Sequence, residues 1–137
     1  MNIAFLLRPK SEVAFLYDDY SLRQGLEKMK YHGYTAIPVI DREGRYVTTI
    51  SEGDILWFII EKSGDGENLR EVTAQNLEDV HIKDVFHPDK NPPVRITATT
   101  KDLIVRATEQ NFIPVIDDSD SFIGIVTRAD IIKHLSR

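Results

Sequence analysis

Two tetrapeptides carry most of the chemistry open to this chain. Thr127-Arg128-Ala129-Asp130 and Ser51-Glu52-Gly53-Asp54 each place a hydroxyl and a carboxylate three residues apart. At a helix start, that spacing puts both side chains on one face of the first turn. A hydroxyl donates and accepts, and a carboxylate accepts, so the pair can hold the two hydroxyls of a ribose. Free N–H groups at the helix start favour an anion nearby. Arg128 adds a guanidinium that can fork onto phosphate oxygens. The same residues also suit a plain structural role. An N-cap hydroxyl with Asp in the first turn stabilises a helix by roughly 1 kcal/mol. Taken alone, each tetrapeptide favours the plain role.

Context reverses that preference, because the two tetrapeptides belong to a repeat. Ile37-Pro38-Val39-Ile40-Asp41 returns 76 residues later as Ile113-Pro114-Val115-Ile116-Asp117, and Ser51 to Ile55 falls on Thr127 to Ile131 without a gap. From Ile37 to Ile59, seven of 23 aligned positions are identical. This is one supersecondary unit copied once. Two copies suggest a pseudo-two-fold pair with any site where they meet, which favours a binding module over an enzyme.

The elements that must position these groups can be read from periodicity and punctuation. Val13 to Tyr17 is a short apolar run suited to a buried strand. Asp18-Asp19-Tyr20-Ser21 offers turn and N-cap residues, Leu22, Leu26 and Met29 recur at helical spacing, and Gly33 is a plausible stop. Ala36–Ile40 and Arg45–Ile50 read as strands joined by a turn at Asp41 to Gly44. Ser51 then caps a helix reaching about Glu61. Residues 63–76 read as a linker, followed by a short helix around Leu77 to Val85. The second copy has a strand at Val94–Ile96, a helix at Lys101–Glu109, strands at Phe112–Ile116 and Phe122–Val126, and a helix from Thr127 to about Leu135. Each copy is thus β-α-β-β-α. The division is 1–62, linker 63–76, and 77–137.

Bulk properties narrow the function classes. A chain of 137 residues, 42% apolar, can build one compact core or two small ones. Its net charge of -5 and lack of a basic run argue against nucleic acid as partner. With no cysteine, disulfides and thiolate metal sites are excluded. No apolar stretch is long enough to span a bilayer, and Met1 to Leu7 lacks the pattern of a signal peptide. The expectation is a soluble cytoplasmic protein. The spacing of His32, His81, His87 and His134 fits no metal motif, and each reads as a surface or capping residue. Asp117 to Asp120 fits a polar hairpin turn better than a calcium loop. No nucleophile–base pair or glycine-rich phosphate loop is visible, so no enzyme and no cofactor are expected.

The apolar-Pro-Val-apolar-Asp strand, the apolar hairpin strand and Ser/Thr-x-x-Asp, in that order and twice over, resemble a tandem pair of cystathionine-β-synthase (CBS) domains, or Bateman module. The resemblance runs over nearly the whole chain, so no attached catalytic or transport domain is expected. It implies an α+β fold of two pseudo-symmetric repeats packed as one compact module. It also implies an adenine nucleotide (AMP, ADP or ATP) bound between the repeats and a regulatory action through a protein target. Gly33 to Pro38 resembles small stand-alone bacterial members, some of which sense cyclic dinucleotides, so a cyclic di-adenosine monophosphate sensor is the alternative. A ligand-free structural dimerisation module is the alternative of another class.

Carried over by position, the resemblance assigns Val13 and Ala14 to the adenine. Thr35 and Ala36 flank the base or ribose, Ile37 makes apolar contact, and Thr127, Arg128 and Asp130 hold ribose and phosphate. Core packing is the plain role for Val13, Ala14 and Ile37, and a hydroxyl at Thr35 entering an apolar strand would need a partner. The symmetry-related cleft, with Asn111, Phe112, Ser51 and Asp54, looks weaker, because Glu52 replaces Arg128 and Phe112 could fill the base pocket. One good site per chain is expected. The Ile55–Ile60 helix, with Trp57 and Phe58, is apolar around much of its girth. Together with the Ile131–Leu135 helix it is expected to form a homodimer face.

Overall fold

The computed structural model describes residues 3–62, 77–85 and 90–136. Its α+β elements fall into two compact units, each drawing on both halves of the sequence. The first contains residues 1–14, 43–46 and 89–137, and the second contains 15–42 and 47–88. The expected linker at 63–76 lies outside the described residues, as does His87.

The second unit carries a three-stranded sheet in the order β2 (Leu16–Tyr17), β3 (Ala36–Ile40), β4 (Tyr46–Ser51). Four of the five β3 residues are buried, each apolar side chain contributing roughly 1.5–3 kcal/mol. Pro38 in this central strand runs against the usual confinement of proline to edges. The parallel partner β2 begins opposite Val39, one residue later, so no ladder bond on that side needs the missing N–H. Helix α1 (Leu22–His32) starts with a reciprocal cap between Ser21 and Gln24 and stops at Gly33, whose φ of 69° is left-handed. Helix α2 (Glu52–Lys62) follows β4 directly. Leu16, Leu22, Met29, Ile37, Val39, Ile50 and Ile82 are among the buried side chains of this unit.

In the first unit the sheet has four strands, ordered β1 (Arg8–Pro9), β7 (Phe122–Thr127), β6 (Phe112–Ile116), β5 (Val94–Arg95). The parallel register repeats that of the other sheet, with Val94 opposite Val115 and Arg95 opposite Ile116. Helix α3 (Thr100–Ala107) is capped by Thr99 and Asp102, and helix α4 (Arg128–Leu135) by Thr127. Ile3, Val94, Leu103, Ile113, Val115, Val126 and Ile131 form the core.

Two expectations need correction. The first strand is only Leu16–Tyr17. Val13 and Ala14 precede it and belong to the other unit, where Val13 ends a short 3-10 turn with its N–H donating to the Lys10 carbonyl. The helix expected over Leu77 to Val85 is broken. Residues 79 and 80 bend, His81 forms a bridge with Ser21, and Ile82–Asp84 is a 3-10 turn. Leu22 N–H donates to Val80 O and Ile82 N–H to Tyr20 O. These tertiary hydrogen bonds replace those a local helix would make.

The strand β1 was not foreseen. It pairs antiparallel with β7, Arg8 opposite Ile125 and Pro9 opposite Gly124. A Cβ at Gly124 would collide with the Arg8 carbonyl oxygen, and its φ of 154° also favours glycine. Gly124 therefore permits the close approach of β1, which fixes where Arg8 begins.

Candidate functional site

Thr127 sits at the junction of β7 and α4, and its Oγ accepts the Asp130 N–H at 3.1 Å. Hydroxyl and carboxylate thus share the first turn, as the spacing requires. The carboxylate is not turned back to cap its own helix. It faces Arg8, 122 residues away in sequence, whose Nε donates to Oδ2 at 2.8 Å and Nη2 to Oδ1 at 3.2 Å. This fork, with help from Thr127, holds the Asp130 carboxyl below the usual carboxylate range, although burial opposes the shift. Asp130 is 23% exposed and Arg8 54%. An ion pair open to water to this degree stabilises by about 1 kcal/mol or less, so a competing ligand displaces it cheaply.

Around this pair lies a cavity of about 290 Å³, its polar lining made by Arg8, Asp130, Lys133 and His134. Phe5 completes one wall, its ring 4.9 Å from that of His134. Arg8 and Lys133 against Asp130 leave the lining with one positive charge in excess, in a chain whose net charge is -5 with histidine neutral.

Arg128 departs from its expected place. Its Nε donates to Ala107 O and its Nη1 to Asn111 Oδ1, both at 2.8 Å. The guanidinium is therefore anchored on the end of α3 and the residue before β6, instead of projecting to a phosphate. The helix-start N–H groups are also engaged, Arg128 N–H with Asn111 O and Asp130 N–H with Thr127. Asn111 is exposed and Phe112 half-buried at the head of β6. Val13 is buried and Ala14 half-buried.

In the second unit the equivalent tetrapeptide is arranged differently. Asp54 N–H donates to Ser51 Oγ at 3.1 Å, and Ser51 N–H to Asp54 Oδ2 at 2.8 Å. The Asp54 carboxylate thus closes a reciprocal cap of α2. Glu52 N–H donates to Thr35 O, matching the Arg128–Asn111 bond one repeat later. Thr35 is exposed and precedes β3, so its hydroxyl does not enter an apolar strand; Ala36 is half-buried and Ile37 fully buried. The sequence reading missed Arg8. The one available signal was Gly124 within an alternating strand, which marks a close backbone approach.

The fold and the doubled tetrapeptide define a repeat-built α+β module. The family model of the CBS domain matches residues 6–61 and 80–137, so the chain belongs to the CBS-domain family. An uncharacterized protein of Methanocaldococcus jannaschii is 24% identical over 145 residues, covering 88% of this chain and 84% of that protein. Listeria monocytogenes CbpB, in a crystal structure with c-di-AMP, is 26% identical with a TM-score of 0.83, covering 98% of this chain and 95% of that one. CBSX2, in a crystal structure with AMP, is 20% identical with a TM-score of 0.74, covering 99% and 98% respectively, and shows the shared fold.

Proposed function

We propose that this chain is a regulatory module that binds an adenine nucleotide, AMP, ADP or ATP, and acts in the cytoplasm through a protein partner, not by catalysis. The observation that carries this reading is Asp130. It is a carboxylate at a helix start, beside a hydroxyl and facing an electropositive cavity, with an exposed ion pair as its main competitor. Thr127 and Asp130 take the ribose hydroxyls. Within the same unit Val13 and Ala14 are proposed contacts of the adenine; Thr35, Ala36 and Ile37 are proposed nucleotide contacts of the second unit, taken by itself. Ser51 and Asp54 are the weaker candidates, because the Asp54 carboxylate already closes its own helix cap.

A second reading has its own support. CbpB, similar over almost its whole length, is crystallised with c-di-AMP. Both ligands contain an adenosine 5′-phosphate unit, but the 3′-oxygens of c-di-AMP are esterified, so only the contact to the 2′-hydroxyl would be shared.

Melting temperature separates these readings. AMP, ADP or ATP should raise it, and GMP should do so less. A hundredfold excess over the dissociation constant stabilises by roughly 2.7 kcal/mol. A shift with c-di-AMP alone would favour the second reading. No shift with any of them would leave the ligand-free dimerisation module as the better account.

The dimer is proposed on the surfaces of the two units taken separately. Leu56 and Trp57 on α2 are 56% and 64% exposed, and Ile132 and Leu135 on α4 are 56% and 58% exposed. Leu56 and Ile132 are equivalent positions of the repeat, so each unit leaves the same helix with an uncovered apolar strip.

A further inference from the structure

The cavity beside Asp130 holds a cation that neither the doubled motif nor the fold puts to use. Lys133 follows Asp130 by three residues on α4, so the two side chains share one helix face, about 4.5 Å apart along the axis. Both line the cavity of about 290 Å³. Among the described residues, the Lys133 ammonium makes no hydrogen bond or ion pair. The Asp130 carboxyl, lowered first by Arg8, is lowered further by the charge of Lys133 acting at longer range. The other cations here are engaged. Arg8 forks onto Asp130, and Arg128, the cation offered to phosphate by the motif, is anchored on Ala107 and Asn111. The excess positive charge of the lining is therefore that of Lys133. Its exposed side chain is a compact charge with three donors on a flexible four-carbon stem, which suits the oxygens of a phosphate.

We propose that Lys133 is the phosphate anchor of the nucleotide site, and that it selects ligands with one phosphate per adenosine, AMP or c-di-AMP, over ATP. The proposal rests on the adenine-nucleotide reading above and adds a residue and a phosphate count to it. A phosphate lies at the 5′ end of the ribose, away from the 2′-hydroxyl. A ribose held at Asp130 with that end directed along α4 brings its phosphate within reach of Lys133, one turn on. One cation matches one phosphate group, whereas a triphosphate carries several further charges with no second uncommitted ammonium or guanidinium in this lining to meet them. The volume agrees, because about 290 Å³ stands at the small end of ligand pockets, which run from about 300 Å³ upward.

Calorimetric titration of adenosine, AMP, ATP and c-di-AMP into wild type, Lys133→Gln and Lys133→Arg tests this. Wild type should bind AMP or c-di-AMP more tightly than ATP, and about tenfold or more tightly than adenosine, the effect expected for gaining charged hydrogen bonds. Lys133→Gln should remove the advantage over adenosine and leave adenosine bound as before. Lys133→Arg should keep most of it. Added salt should weaken the phosphate ligand in wild type and much less in Lys133→Gln, because screening acts on the charge that was removed. Circular dichroism and the melting temperature check that both variants are folded. Equal weakening of adenosine and its phosphates by Lys133→Gln would make Lys133 a structural residue and overturn the proposal. Unchanged affinity for the phosphates, or ATP bound more tightly than both AMP and c-di-AMP, would also overturn it, with the nucleotide reading intact. Wild type that binds none of the four ligands overturns the nucleotide reading itself, and the anchor with it.

Discussion

Asp130 and Asp54 stand at equivalent positions of the repeat, and their carboxylates face different partners. Asp54 accepts the N–H of its own cap residue, and Asp130 accepts a guanidinium from a distant strand. The difference has a measurable consequence in pH. The Asp130 carboxyl titrates below its usual range because Arg8 stabilises the charged form. A depressed native pKa contributes stability above the unfolded value, and that stability is lost as pH falls through the native one. Denaturant unfolding of wild type and Asp130→Asn should therefore give a stability difference that is flat above about pH 5 and shrinks below about pH 4. Because Asp19 and Asp102 are also depressed, the difference between variants is the informative quantity. A difference that stays constant down to about pH 3 would contradict the pair. The motif residues at this scale were legible because hydroxyl, spacing and carboxylate are local. Arg8 was not, because nothing in Leu7-Arg8-Pro9 announces a partner 122 residues away.

Among the elements, β3 and β6 were read to the residue, Ala36–Ile40 and Phe112–Ile116. Four buried apolar positions in a row leave little choice of structure. The cap at Thr127 was equally plain, since Thr satisfies helix-start N–H groups locally, and the stretch Asp18 to Ser21 held the cap of α1 without singling it out. The failures lie where structure depends on distant backbone. β1 is two residues long and exists because β7 offers an edge beside Gly124. The segment from 79 to 85 gives up helix for hydrogen bonds to Asp18, Tyr20 and Leu22. Gly124→Ala tests the first of these. The added Cβ should collide with the Arg8 backbone and impose a strained φ, costing on the order of 3 kcal/mol. Hydrogen exchange should then show β1 and its partner positions on β7 losing protection before β6. Retention of wild-type stability and exchange would mean that β1 does not depend on that approach.

For the molecule as a whole, the repeat made the family legible, because seven shared positions preserve order and spacing as well as residue type. How compact units draw on the sequence was less so. Residues 1–14 and 43–46 belong with the second half of the chain, and no local pattern encodes that exchange. Assembly is tested at this scale. Trp57→Glu puts a charge on the apolar strip of α2, where burial without a partner is costly. Light scattering should then report a smaller particle than wild type, folded by circular dichroism. Wild type that is monomeric at tens of micromolar would contradict the dimer.

The central claim is that one carboxylate of the repeated pair holds a nucleotide and the other holds its own helix. Calorimetric titration of the nucleotide giving the largest thermal shift into wild type, Asp130→Ala and Asp54→Ala addresses it directly. The account predicts one site per chain, most affinity lost in Asp130→Ala, and wild-type affinity in Asp54→Ala despite a helix-cap cost of about 1 kcal/mol in stability. Two equal sites per chain, or equal losses from the two substitutions, would contradict it.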